Sequence, residues 1–282
     1  MSRIILSAFA DEYSPSLDEQ FEAMRRYGIG NIEIRNCDGK NVSLLSDGEI
    51  EAVKKKLEKY GVSISAVGSP IGKIRLDEDI NAHLAIAKRM FGAAEYWGAK
   101  YVRVFSFYAP EGKNIVDMKD EVFDVLGELV ALARGYGVTL CHENEARIYG
   151  DVPKRCLEIL EKFGGELKCV FDMGNFVLEG VEPYSEAYEL LKKYIAYFHI
   201  KDALAEGVIV PPGKGDAKIK EILEAHKKYS ENDFFTTLEP HLIKFVGLGS
   251  LVGREFGNTY RYADAKEAFG DAVKKFGELG LT

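Results

Sequence analysis

The chain has 282 residues, 46% of them hydrophobic, and its formal net charge at neutral pH is −8. This acidity argues against the basic surface of nucleic-acid-binding proteins and against docking to an anionic membrane. No apolar run approaches the roughly 18 residues that a membrane-spanning helix needs, and the N-terminal apolar run is too short for a secretory signal. The four cysteines show no disulfide framework and no C-x-x-C pair. We therefore expect a cytoplasmic protein with reduced thiols that binds neither nucleic acid nor membrane.

Eight β-like runs alternate with eight helix-like segments along the chain. The predicted strands are residues 4–8, 31–35, 62–67, 101–105, 138–142, 167–171, 195–200 and 234–238. The predicted helices are residues 16–27, 46–60, 81–97, 119–136, 153–163, 184–193, 217–229 and 263–279. Ser46 and Glu49 fit a capping box at the start of the second helix. Four of the strands follow an aromatic-glycine pair, a pattern typical of a left-handed glycine that ends a helix: Gly28, Gly61, Gly98 and Gly137.

This alternation predicts a parallel sheet, because a strand–helix–strand unit returns the chain in the same direction. Eight such units without a break in composition predict one closed (β/α)₈ TIM barrel that spans residues 1–282 as a single domain. An open, doubly wound sheet is the alternative that the pattern leaves open.

Four consecutive predicted strands end in residues that bind metals. Such barrels carry their sites at the carboxyl ends of the strands, so these four side chains should meet on one rim. Two glutamates, an aspartate and a histidine form an oxygen-rich set suited to a divalent cation. Each of them alone would be read as an ordinary loop, capping or core residue; together they predict one metal site. They are Glu143, Asp172, His199 and Glu239.

A cation in this site would polarise a substrate carbonyl and stabilise an ene-diolate. Glu143 and Glu239 lie on strands that are not adjacent, so they could flank a bound sugar. One of them would then remove a proton and the other would return it.

Further residues on the same rim are candidates for contacts with the substrate. Arg35 would either meet sugar hydroxyls or pair with Glu33 inside the barrel. Phe107 and Tyr108 follow the fourth strand and could stack on a sugar. Lys214 lies in a glycine-rich loop that would either contact the substrate or form a flexible turn. Three more candidates adjoin the predicted ligands and could orient them or touch the substrate: Glu145, Lys201 and His241.

Several motifs resemble those of the xylose-isomerase-like barrels, the sugar phosphate isomerases and epimerases that include ketose 3-epimerases. The motifs are E-N at 143–144, F-D-x-G-N at 171–175, H-I-K-D at 199–202, P-G-x-G-D at 212–216 and L-E-P-H at 238–241. The resemblance extends over essentially the whole chain. It implies that Glu143, Asp172, His199 and Glu239 bind one divalent ion, most often Mn²⁺, with Mg²⁺, Co²⁺ or Zn²⁺ as alternatives. It also implies that Glu143 and Glu239 are the catalytic acid/base pair of an isomerase or epimerase.

Two departures from this pattern leave the reaction open. Many of these epimerases carry a histidine where this chain has Asn175, and ketose 3-epimerases carry an arginine where it has Ala205. A lyase with the same metal site is therefore the second interpretation, either a keto-inositol dehydratase or an enzyme that eliminates from a 3-keto-glycoside. Both reactions begin with removal of a proton next to a carbonyl.

Two other classes of function are weaker alternatives. A non-catalytic sugar-binding barrel would not need two glutamates as metal ligands. An apurinic-site endonuclease, a relative in fold, needs several histidines for its three zinc ions, whereas this chain has five in all. The expected partner is thus a small sugar or keto-sugar; whether it is phosphorylated, and whether the protein forms a homo-oligomer, stays open.

Overall fold

Eight parallel strands close into a barrel in the computed structural model, which describes residues 2–243 and 260–281. Each strand pairs with its sequence neighbours, and β1 closes the barrel by pairing with both β2 and β8. The closed TIM barrel predicted from the sequence is confirmed, and the open sheet is excluded. The strands are β1 (Ile4–Ala8), β2 (Asn31–Ile34), β3 (Ser63–Val67), β4 (Tyr101–Val104), β5 (Thr139–Glu143), β6 (Leu167–Asp172), β7 (Ile195–Ile200) and β8 (Phe234–Leu238).

Helices surround the barrel, and all but the sixth begin and end within a few residues of their predicted positions. The predicted capping box is present, since Ser46 and Glu49 exchange hydrogen bonds at the start of the second helix. Gly61 ends that helix in the left-handed region, with φ of 66°. The helices are α1 (Leu17–Arg26), α2 (Asp47–Tyr60), α3 (Ile80–Trp97), α4 (Lys119–Ala133), α5 (Pro153–Lys162), α6 (Met173–Leu178), α7 (Ile219–Tyr229) and α8 (Ala265–Glu278).

The sequence prediction differs from the structure around the sixth helix. One regular helix was expected over residues 184–193, but α6 begins immediately after β6, because the Asp172 side chain caps it by accepting from the Asn175 backbone N–H. A second helical stretch then covers residues 183–194 as π, α and 3₁₀ turns. Two short hairpins, at residues 36–41 and 202–210, were not predicted. The irregular connection expected at 241–261 lies largely outside the described residues.

Apolar side chains fill the space between the strands and the helices, and a smaller apolar cluster closes the lower barrel interior. Ala66, Cys141, Val170 and Tyr197 form that inner cluster. All four cysteines are buried free thiols, as expected. Among the described residues, no helix is long and apolar enough to cross a membrane. This inner cluster lies below the polar residues of the rim, because Cys141, Val170 and Tyr197 precede Glu143, Asp172 and His199 by two residues on β5, β6 and β7.

The loop that follows β3 packs tightly against the segment that follows β4. Phe105 donates its backbone N–H to the Ile71 carbonyl at 2.8 Å, and Phe107 donates to the Gly72 carbonyl at 3.0 Å. Gly72 has φ of +88°, and a Cβ added there would lie 2.1 Å from the Phe105 carbonyl oxygen. Only glycine fits this close approach, which fixes the loop beside the rim.

Candidate metal centre

The four ligand-type residues predicted from the sequence converge on the carboxyl rim of the barrel. Glu143 and Asp172 are the last residues of β5 and β6, His199 is the penultimate residue of β7, and Glu239 follows β8 directly. All four are buried, and one ligand atom of each lies within 4.8 Å of those of the others. Neighbouring parallel strands end side by side here, and Asp172 lies opposite His199 in the register. We refer to these four residues as the quartet.

The imidazole of His199 turns one nitrogen towards the quartet and the other away from it. Its Nδ1 atom lies 3.0 Å from Glu143 Oε1 and 3.2 Å from Glu239 Oε2. Its Nε2 atom lies 3.0 Å from Glu33 Oε2 on the opposite side of the ring. Nδ1 is therefore the nitrogen that could bind a metal together with the two glutamates.

Two arginines contact the glutamates of the quartet. Arg35, directly after β2, forms two hydrogen bonds with Asp11, at 2.9 and 3.1 Å, and one with Glu239 Oε1 at 2.9 Å. Arg103 lies 3.1 Å from Glu143 Oε2. Arg35 thus pairs with carboxylates, as one of the two interpretations predicted, but these are Asp11, Glu12 and Glu239 and not Glu33.

A buried lysine contacts the remaining carboxylate of the quartet. Lys201 Nζ lies 2.8 Å from Asp172 Oδ2, 3.1 Å from Asn175 Oδ1 and 3.3 Å from Glu239 Oε2. Asn175 also donates from its amide to the Asn144 carbonyl, at 2.9 Å. Asn175, which stands where many of the epimerases carry a histidine, therefore orients Lys201.

These contacts set the charge states of the two glutamates. Burial by itself would raise the pKa of Glu143, but the positive charges of His199 and Arg103 outweigh it and lower that pKa to about 2. Burial also opposes ionisation of Glu239, whose pKa nevertheless lies well below its ordinary value because of the positive charges of Lys201 and His199. Both glutamates are thus carboxylates at neutral pH.

The other two members of the quartet have raised pKa values. Burial raises the pKa of Asp172 to about 6, although Lys201 opposes the shift. For His199 burial favours the neutral ring, yet the nearby carboxylates of Glu143 and Glu33 raise its pKa well above the usual range. Without a metal, this histidine therefore supplies positive charge to a site rich in carboxylates.

The residues present fit a divalent cation. Three carboxylates and one imidazole form a mixed oxygen–nitrogen donor set of the kind that binds Mn²⁺, Mg²⁺, Co²⁺ or Zn²⁺. Among the described residues, six buried carboxyl groups and three basic side chains form the contact network at this rim, so a divalent ion would offset the excess of acidic groups. The carboxyl groups are those of Asp11, Glu12, Glu33, Glu143, Asp172 and Glu239; the basic side chains are Arg35, Arg103 and Lys201.

Two more of the predicted substrate-contact residues lie at or near this network. His241 Nε2 is 3.4 Å from Glu12 Oε1 and 3.4 Å from Glu239 Oε1, and its backbone N–H donates to Glu12 Oε2 at 2.8 Å. Glu145 forms an ion pair with Lys73 at 3.0 Å. Burial lowers the pKa of His241 to about 4. His241 is therefore a neutral ring that adjoins Glu239.

The remaining three candidates lie in other surroundings. Phe107 is fully buried in the hydrophobic core with φ of 65°, so its ring packs against protein and offers no face for stacking. Tyr108 is half-buried, and burial raises the pKa of its hydroxyl to about 12. Lys214 is exposed, and its loop is no flexible turn, because Asp202 Oδ2 accepts the backbone N–H groups of residues 213, 214 and 215 at 2.8–3.0 Å. Phe107 was thus misjudged because a rim position does not determine which way a ring points.

Sequence reasoning missed two carboxylates of the network and the contacts of a third. Asp11 and Glu12 follow β1 just as Glu143 ends β5, so the signal that identified the quartet was also present there. Glu33 was expected inside the barrel as a partner of Arg35, but its contacts with His199 and Tyr197 were not predicted.

A family model and solved structures agree on the fold of this chain. A family model described as "Xylose isomerase-like TIM barrel" matches residues 21–237. One curated relative, an 8-amino-7-oxononanoate synthase from Thermoanaerobacter pseudethanolicus, is 26% identical over 192 residues, which are 64% of this chain and 47% of that protein. The chain thus spans about half the length of the curated relative that it matches.

Three solved structures superpose over nearly the whole chain. The protein IolI with a bound zinc atom is 20% identical, with a TM-score of 0.71 and coverage of 97% of both chains. A probable 3-DHS dehydratase, AsbF, from Bacillus anthracis is 15% identical, with a TM-score of 0.73 and coverage of 98% of this chain and 99% of that one. The 3-keto-D-glucoside 4-epimerase YcjR from E. coli is 15% identical, with a TM-score of 0.71 and full coverage of both chains. At these identities the similarity establishes a shared fold.

Proposed function

Because this chain belongs to the xylose isomerase-like TIM barrel family, we propose that it is a metal-dependent sugar isomerase or epimerase. It would move a proton at a carbon next to a carbonyl, through an ene-diolate-type intermediate. The observation that carries this proposal is the buried quartet, whose four ligand atoms lie within 4.8 Å of one another. An epimerase and a zinc-binding protein among the structural neighbours support it.

The quartet would hold one divalent ion, for which Mn²⁺ is our first choice and Mg²⁺, Co²⁺ and Zn²⁺ are alternatives. Such an ion would act as a Lewis acid on the substrate carbonyl. Glu143 and Glu239 would be the acid/base pair, because their low pKa values keep both as carboxylates that can accept a proton. Arg103 touches Glu143 at 3.1 Å and lies 3.9 Å from Glu239, so its guanidinium holds both carboxylates in place.

A lyase with the same residues is the second candidate. It is favoured by Asn175, which stands at a position where many epimerases carry a histidine, and which here holds Lys201 at 3.1 Å. The dehydratase among the structural neighbours supports this reading. The first proton transfer would be the same, and expulsion of a hydroxyl or alkoxyl group from the next carbon would follow.

The direct test is incorporation of solvent deuterium. Protein loaded with Mn²⁺ would be incubated in D₂O with free sugars, sugar phosphates and 3-keto sugars, and the carbon-bound deuterium measured by NMR and mass spectrometry. We expect exchange next to the carbonyl. An inverted or isomerised product identifies the first candidate, and an unsaturated product identifies the lyase. A protein that binds sugars but exchanges no proton would be a binding barrel and would refute both.

Two substitutions assign the catalytic roles. Glu143→Gln and Glu239→Gln keep the side-chain size and remove the base, so each should lower exchange by roughly 10²–10⁴-fold. Glu231→Gln changes an exposed carboxylate between α7 and β8, at the other end of the barrel, and serves as the matched control. If both rim variants hold metal and keep near wild-type exchange, these glutamates are ligands only.

We also propose that neutral sugars are better substrates than highly anionic ones. The net charge of −8 and the carboxylate-rich rim both disfavour added negative charge. Deuterium exchange with the phosphorylated sugar alone would contradict this, and would direct attention to Lys73 and Lys214.

A further inference from the structure

Glu33 and Tyr197 make contacts that neither the acid/base chemistry nor the ligand quartet uses. We propose that they are a positioning pair, which holds the ring of His199 so that Nδ1 is the nitrogen offered to a metal ion. This inference rests on the proposed metal site and adds residues that act on it through His199.

Glu33 reaches His199 from across the barrel. It lies on β2, whereas His199 lies on β7, and neither strand pairs with the other. The Glu33 Oε2 atom is 3.0 Å from His199 Nε2, and both side chains are completely buried. A carboxylate can only accept hydrogen bonds, so this contact requires a hydrogen on Nε2. With Nε2 committed in this way, Nδ1 is the nitrogen left for coordination.

Tyr197 fixes the orientation of the Glu33 carboxylate. It precedes His199 by two residues on β7, so both side chains point to the same face of the strand. The Tyr197 hydroxyl donates to Glu33 Oε1 at 3.0 Å, which leaves Oε2 for His199. The Tyr197 ring is itself stacked on Tyr101, with centroids 5.6 Å apart and an interplanar angle of 26°.

An aromatic contact on the ring adds to this restraint. The ring of Phe9 meets His199 edge-on, with centroids 5.2 Å apart and an interplanar angle of 76°. Rotation of the imidazole would therefore break the hydrogen bond to Glu33 and disturb a packed ring. The ligand geometry is thus prepared before a metal arrives.

A contribution to stability alone does not account for this arrangement. Burying a carboxylate costs several kcal/mol, and a buried ion pair is often no more stabilising than well-packed apolar residues. Partners that orient a metal-binding histidine affect metal affinity, because removing one typically weakens metal binding about 10–100-fold. A purely stabilising role and a positioning role therefore predict different metal affinities and different ligating nitrogens when the pair is altered.

Three variants separate the hydrogen bond from the charge. Glu33→Leu removes the acceptor, whereas Glu33→Gln removes the charge and keeps an acceptor oxygen. Tyr197→Phe removes only the hydroxyl that holds Glu33. The control is Tyr149→Phe, because that hydroxyl bonds Glu158 at 2.5 Å and touches none of the quartet in the described contacts.

Affinity for Zn²⁺ would be measured by competition with a chelator. The ligating nitrogen would be read from long-range ¹H–¹⁵N spectra of ¹⁵N-histidine-labelled, zinc-loaded protein, in which His199→Gln assigns the signal. We expect Glu33→Leu to bind zinc about 10–100-fold more weakly and to lose the single Nδ1-ligated signal. Glu33→Gln should retain that signal with a smaller loss, Tyr197→Phe should weaken binding several-fold, and the control should match the wild type.

Each outcome decides a separate statement. If the wild type binds no zinc, the proposed metal site itself fails. If the wild type binds zinc, and Tyr197→Phe and Glu33→Gln both keep its affinity and its Nδ1 signal, the positioning role is refuted even if Glu33→Leu does not fold. Weaker binding by Glu33→Leu with its single Nδ1-ligated signal unchanged would also overturn it, since Glu33 would then act through its charge and not on the orientation of the ring.

Discussion

Replacing Lys201 with methionine tests whether the rim depends on neutralising its carboxylates. The ammonium group is buried and lies 2.8 Å from Asp172, 3.1 Å from Asn175 and 3.3 Å from Glu239. Removing one partner of a buried ion pair costs about 3–5 kcal/mol, because the other charge stays buried. For a chain of this size, that loss should lower the midpoint of thermal unfolding by roughly 5–8 °C.

The loss of unfolding free energy caused by Lys201→Met should be largest without metal, since a bound divalent ion would supply replacement positive charge. Urea unfolding followed by circular dichroism, once in EDTA and once with Mn²⁺, measures both cases. Lys220→Met is the matched control, because Lys220 is exposed on α7 and a surface substitution usually changes stability by less than about 0.5 kcal/mol. A metal-free Lys201→Met protein within about 1 kcal/mol of the wild type would refute the reasoning.

Three further predictions use the same unfolding assay. Burial raises the pKa of Glu12 to about 8 from an ordinary 4.5, despite the opposing charge of Arg35. Protonated Glu12 therefore contributes to the free energy of unfolding below pH 4.5, and this contribution is lost as the pH rises through 8. Glutamine cannot ionise, so the free energy of unfolding of metal-free Glu12→Gln should rise relative to that of the wild type across this pH range, by up to a few kcal/mol. A difference in unfolding free energy that does not depend on pH would contradict the assignment. Gly72→Ala should lower the free energy of unfolding by more than Gly39→Ala, because both glycines have positive φ but only a Cβ at Gly72 would clash with the Phe105 carbonyl. Equal losses of unfolding free energy would show that the loop shifts to accommodate the Cβ. Mn²⁺ at a hundred times its Kd should raise the free energy of unfolding by about 2.7 kcal/mol, and Asp172→Ala should abolish that gain if Asp172 is a ligand.

The sequence by itself determined the barrel and the convergence of the quartet. Strand runs, helix stripes and the glycines that end helices are local signals, and their eightfold alternation leaves few ways to close a sheet. The side chains at the strand ends then had to meet, because parallel strands deliver their carboxyl ends to one rim. Glu143 and Asp172 could be placed beside each other on that ground alone.

Only the tertiary structure decided which of the other polar residues touch. Glu33 lies on β2 and Arg35 follows directly after that strand, and the sequence allowed them to pair; in the fold Arg35 binds Asp11 and Glu239, while Glu33 reaches His199 and Tyr197.

The sequence also could not show that Phe107 turns into the core or that Asp202 fastens the Lys214 loop. Periodicity states which face of a strand a residue occupies, but not how far its side chain reaches across a barrel. These contacts join strands that are distant along the chain, and they are settled by closure of the barrel and by the need of each buried charge for a partner.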